Sequence, residues 1–176
     1  MQPIGPLMIE HRLIERMIAL ISERAVDAER AGSIDPLFID AAVDFVRTYA
    51  DRTHHGKEED ILFRDLESRN LSDEDQRVMA ELVEEHKLGR KTVSELVAAT
   101  AKYREGDSRS LSTITEKLRF LASFYPAHIE KEDKVFFPAA MKYFDPSERD
   151  RMLAEMYEFD RLMVHEKYTS MVEAFE

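Results

Sequence analysis

Two parts of this chain repeat one another, and the repeat narrows what the chain can fold into. EHRL at residues 10–13 aligns with EHKL at 85–88, and HHGKEEDILF at 54–63 aligns with HIEKEDKVFF at 128–137. The two offsets nearly agree, at 75 and 74 residues. Within each copy a lone histidine precedes a His-x-x-x-Glu pair, by 43 residues in the first copy and 42 in the second. That plan fits two helical hairpins, each supplying one histidine and then a pair.

Helical period runs through the rest of the chain. Glycine and proline are scarce and cluster between segments whose apolar residues recur at three and four. The first helix is expected from near Pro6 to about Arg30, with Leu7, Ile14, Met17, Ile18 and Ile21 on one stripe. Asp35 before Pro36 marks a capped start for the second, which reaches about Ser68. Ser72 and Asp75 resemble a capping box for the third, which ends near Arg104. Asp107 is placed to cap a fourth reaching about Phe144, and Asp145-Pro146 opens a fifth. Pro126 lies inside the fourth helix, where it is expected to kink the helix or set the aim of His128. No segment alternates in the manner of a strand. The expected fold is all-α: an antiparallel up-down four-helix bundle over about 7–144, with an additional C-terminal helix over about 146–175. A single domain is expected to span 1–176.

HHGKEEDILF contains two overlapping His-x-x-x-Glu pairs, His54 with Glu58 and His55 with Glu59. The repeat selects the first, because His54 aligns with His128 and Glu58 with Glu132, whereas His55 falls opposite Ile129. Regular α-helical phase agrees: Val46, Ala50, Ile61 and Leu62 share the face of His54, while Thr48, Asp51 and Arg52, alongside the apolar Leu62, neighbour His55, so His54 sits nearer the centre of the apolar stripe. His11, His86 and His128 also lie on apolar stripes. Four imidazoles and two carboxylates are thus directed into the middle of one bundle.

Such a set calls for metal. Residues four apart lie one turn up the same helix face, about 6 Å. A histidine can bind one ion there while its glutamate reaches a second. Burying ionised carboxylates without partners costs several kcal/mol each, so cations are the natural compensation. The chain has no cysteine, which leaves imidazole and carboxylate as donors and favours iron, manganese or zinc. An oxo or hydroxo bridge between two ions would absorb part of the remaining charge.

Charge removes other functions. A net charge of −11 argues against nucleic-acid and anionic-membrane partners, both of which need a basic face. No apolar run approaches membrane-spanning length, and the N-terminus lacks a signal-peptide pattern, so a cytoplasmic location is expected.

With these residues in place, the chain resembles the hemerythrin-like HHE cation-binding family, whose pattern is H…HxxxE…H…HxxxE. EHRL, HHGKEEDILF, EEHKL and HIEKEDKVFFP carry the resemblance over about residues 7–140. It implies a non-haem di-iron centre ligated by His11, His54, Glu58, His86, His128 and Glu132, with both glutamates bridging. Repeat symmetry assigns His11 and His128 to one iron, and His54 and His86 to the other. Oxygen-carrying members have a second histidine four residues along the third helix; here that place holds Arg90. The pattern is closer to four-histidine, two-glutamate members, which include iron-centre repair proteins and an iron-sensing ubiquitin-ligase subunit.

The expected function is binding of, or response to, O2, NO or peroxide at that centre. Two alternatives stay open: iron storage, donation or sensing, and an enzyme consuming peroxide or NO with an external reductant. Six side chains leave open positions for a diatomic or peroxide ligand. Of the remaining groups, His55, Glu59 and Asp133 read as surface residues or as groups orienting a ligand's other ring nitrogen. Tyr49, Phe124 and Tyr125 read as core. His165 reads as a packing or surface residue, or as a cap on the site from the fifth helix.

Overall fold

The computed structural model describes residues 2–173, with side chains for all of these except 164–166 and 168–173. Among the described residues there are helices and short connections and no strand, and all five expected helices form.

Helix α1 (Ile4–Ala31) ends where Gly32 takes a φ of 67°, returning its N–H to the Ala28 carbonyl. A side chain there would be strained, so glycine sets the stop. Helix α2 opens at Pro36, where Asp35 accepts a 2.9 Å bond from the Leu37 N–H, and runs through residue 67. Helix α3 (Asp73–Arg104) is capped by Ser72, whose hydroxyl oxygen accepts from the Asp75 N–H. The reciprocal half of the expected box is absent, because the short Asp75 side chain meets the Ser72 hydroxyl and the Ser72 N–H goes to the Tyr143 hydroxyl instead. Helix α4 begins at Ser110; Asp107 braces the turn before it by accepting from the Arg109 N–H rather than capping the helix itself. The helix continues through Pro126. Helix α5 (Pro146–Glu173) begins with Asp145 and Glu148 each accepting the other's backbone N–H.

Two helices depart from α-geometry where the motifs lie. In α2, Phe45–His55 and Glu58–Phe63 are π-helical, and α4 passes from Ser110–Lys131 into a π-helical turn, Glu132–Phe136. Bonding from i to i+5 puts more residues in each turn, so neighbouring side chains diverge by less than the about 100° of an α-helix.

Helix α4 packs along both α1 and α3, and α2 packs against α1 and α3. The space so enclosed has two apolar regions. One contains Ile14, Ile18, Val46, Val93, Leu121 and Tyr125; the other contains Leu7, Leu62, Leu82, Phe136 and Phe137. Each repeat histidine falls between residues of the two regions: His11 between Leu7 and Ile14, His54 between Ala50 and Ile61, His86 between Leu82 and Val93, His128 between Tyr125 and Phe136. A polar layer therefore crosses the core at one level. Helix α5 buries Met152 and Met156 in the second region and is pinned to α2 by Arg64, which grips both Glu155 oxygens at 2.8 and 3.0 Å. Among the described residues no helix is long and apolar enough to cross a membrane.

Candidate metal centre

All six residues selected by the repeat converge in the polar layer, and each is at most 2% exposed. Nε2 of His11 approaches Glu132 to 3.2 Å, and Nε2 of His128 approaches it to 3.1 Å. Nε2 of His54 is 3.6 Å and Nε2 of His86 is 3.4 Å from Glu58. Nε2 of His86 also lies 3.7 Å from Glu132, so each carboxylate faces imidazoles from more than one helix.

These contacts are close but lack hydrogen-bond alignment. Nε2 of all four histidines and both oxygens of Glu58 and of Glu132 are buried with no hydrogen-bond partner. Eight of the twelve such side-chain atoms among the described residues therefore meet at one place. Buried polar groups are almost always satisfied, so a cluster of this kind demands an explanation.

The outer nitrogen of each imidazole, by contrast, is fully engaged. Nδ1 of His54 donates to Glu10 at 2.8 Å, that of His86 to Glu59 at 2.6 Å, that of His128 to Glu85 at 2.7 Å and that of His11 to Asp133 at 2.7 Å. The four bonds form a closed ring: each helix lends a carboxylate to the histidine of the next, from α1 through α4 and back to α1. A carboxylate accepts, so Nδ1 carries a proton and it is Nε2 that faces inward, able to offer its lone pair to a cation. Each carboxylate is braced by a cation: Glu10 by Lys57, Glu59 by Arg90, Glu85 by Lys131 and Asp133 by Arg12. Burial tends to raise Glu10 and Glu59, but His54 with Lys57, and His86 with Arg90, outweigh it and hold both below the usual carboxylate range. The bond from His128, with help from Lys131, lowers Glu85.

Left to themselves, the inner groups divide their protons unevenly. Burial and the facing Glu132 push Glu58 well up. Burial would raise Glu132 too, but the charge of His128 and the contacts from His11 and His86 hold it down. Burial drives His54 down to about 4, whereas Glu132 and Glu85 overcome burial and lift His128 to about 9. Four inward Nε2 atoms, any proton on which a cation would displace, and two carboxylates form a donor set for borderline or hard divalent ions, and on that test the residues fit a metal centre.

Two groupings differ from the sequence reading. Ligand atoms of His11, His54, Glu58 and Glu132 lie within 4.8 Å of one another, and so do those of His55, His86 and His128. His11 thus meets His54, and His86 meets His128, each within one hairpin, whereas repeat symmetry paired His11 with His128; His55, from the first hairpin, joins the second group. His55 is the second difference. It is buried, and its ring stacks on His86 with centroids 3.8 Å apart and planes 11° apart. Its polar neighbours Thr48, Asp51 and Arg52 pointed to a surface or orienting role; in the structure it lies inside, as does Ile129, its counterpart in the repeat.

Glu59 and Asp133 do orient histidines, one of the two roles expected of them. Glu10 and Glu85 were missed. Their signal was present in the acid that precedes the lone histidine in both EHRL and EHKL. Tyr125 is buried beside His55, Phe124 stacks on His128, and Tyr49 is half-buried. The side chain of His165 lies outside the described residues.

Neither the curated proteins nor the solved structures yielded a match. Residues 2–140, most of the chain, match the Hemerythrin HHE cation binding domain. The chain belongs to the hemerythrin HHE cation-binding family.

Proposed function

We propose that this protein holds two metal ions, iron in preference to manganese or zinc, and uses them to bind or respond to O2, NO or peroxide. The supporting observation is the convergence of eight buried donor atoms that have no partner. His11 and His54 would hold one ion and His86 and His128 the other, with Glu58 and Glu132 shared. On this reading the chain is a single domain whose four long helices run up and down as an antiparallel bundle in the cytoplasm, with α5 laid against it.

Bound there, a pair of irons would supply redox and Lewis-acid chemistry toward a small ligand. The protein's own part is to fix the imidazole lone pairs through the carboxylate ring and to exclude water. Phe63 stacks on His86, Phe137 on His11 and Phe124 on His128, giving the layer aromatic walls. An iron-sensing reading has one observation in its favour. Lys57 is completely buried between Glu10, which orients His54, and Asp160 of α5, a contact through which occupancy of the centre would be linked to docking of that helix.

The test of ligand response is absorption. Iron-loaded protein is expected to show near-ultraviolet bands that shift on adding azide or nitric oxide. A spectrum unchanged by either would contradict the ligand reading while leaving the metal content to be judged separately.

A further inference from the structure

A cavity of about 110 Å³ opens beside the polar layer between α2, α3 and α4. Its walls include His55, His86, Tyr125, Gly89, Asp51 and Arg90. It is large enough for two or three heavy atoms and far too small for an organic cofactor.

The chemistry of its wall is specific. Nδ1 of His55 lies 3.3 Å from Asp51, which is itself held at 2.8 Å by Arg90. With Nδ1 turned to that carboxylate, Nε2 of His55 offers a lone pair. One ring nitrogen of His55 lies within 4.8 Å of nitrogens of both His86 and His128. Yet the ring lies parallel to that of His86, face over face. Two imidazoles so stacked cannot both aim in-plane lone pairs at one ion, so His55 is better placed to contact a ligand beside the ion than to hold the ion. Arg90 and the exposed Arg47 stand at the same wall; Arg90 is paired, and Arg47 has no ion-pair partner among the described residues. The mouth therefore favours an anion, and the inner wall favours a ligand that carries an O–H.

We propose that this cavity is the binding site for a small peroxide-class ligand, with His55 accepting its O–H hydrogen bond and Arg90 closing the mouth. The proposal rests on the metal reading above, with the ligand seated beside the ion held by His86 and His128.

The test uses full-length protein loaded with iron, with hydrogen peroxide and azide as probes. Azide has no O–H, so the two probes separate the roles of the wall. In His55→Phe, the apparent Kd for peroxide should rise about tenfold, the worth of one hydrogen bond, while azide affinity changes less than threefold. In Gly89→Leu, which fills the cavity from α3, both probes should bind at least tenfold more weakly or more slowly. A Cβ at Gly89 meets nothing closer than Phe124 at 3.7 Å, so the backbone there accepts a Cβ without a clash, and melting of Gly89→Leu checks that the rest of the side chain is accommodated. Unchanged binding of both probes in both variants would overturn the proposal. So would loss of one of the two ions in His55→Phe, which would make His55 a ligand. Wild-type protein that takes up no metal would instead sink the metal reading, and metal analysis before any probe is added tells the two failures apart.

Discussion

Glu10 on α1 accepts the Nδ1 proton of His54 on α2 at 2.8 Å, and the same arrangement recurs between Glu85 on α3 and His128 on α4. The carboxylate that precedes one lone histidine thus serves the histidine of the neighbouring helix. With Glu59 and Asp133 doing the converse, no imidazole in the layer is free to turn. Such orienting groups fix the tautomer and raise the basicity of the inner nitrogen.

The first prediction follows from that ring. Glu10→Ala or Glu85→Ala should weaken metal binding by about 10- to 100-fold without removing a ligand. Competition with a chelator of known affinity measures it. Affinities equal to wild type would mean that the ring is ornamental.

Glu58 gives the second. With no metal bound, its carboxyl is buried beside Glu132 without a hydrogen-bond partner. Glu58→Leu should therefore stabilise the metal-free bundle, by about 1–3 kcal/mol, while abolishing metal-dependent stabilisation. Urea unfolding with and without chelator reads both effects. A variant less stable than wild type under chelation would contradict the account.

Lys57 gives the third. It is completely buried between Glu10 and Asp160, so Lys57→Met leaves Glu10 with its His54 bond alone and takes the cation from Asp160 at the seam between α5 and the bundle. A loss of about 3 kcal/mol is expected, the usual scale for breaking one side of a buried pair. The same variant should make α5 more susceptible to proteolysis, which limited digestion would reveal.

The fourth concerns Gly56, between His55 and Lys57. A Cβ there would lie 2.8 Å from Cζ of Phe159 on α5. Gly56→Ala should cost about 1 kcal/mol despite alanine's better helix propensity. In a Phe159→Ala background the clash disappears, and the same substitution should become stabilising. A double-mutant cycle on melting temperature would show the change of sign.

The helices were legible because their signals are local: apolar period, Asp35 before Pro36, and Asp145 before Pro146. The six inward residues were legible because the chain states them twice, so that His54 and Glu58 were chosen by their match to His128 and Glu132. What escaped was geometry that no spacing encodes. His55 lies inside although its helical neighbours Thr48, Asp51 and Arg52 are polar, so its burial depends on what the other helices pack against it. Glu10 and Glu85 escaped because their partners lie on other helices, 44 and 43 residues away in sequence. The grouping of His11 with His54 escaped for a similar reason: repeat symmetry relates the hairpins but does not say which imidazoles touch.

The most direct measurement is the metal content of protein purified without an affinity tag, compared with that of His86→Ala and Glu132→Ala. The account predicts close to two ions per wild-type chain and a sharp fall in both variants. Wild-type protein carrying no stoichiometric metal, or variants that keep the full complement, would contradict it.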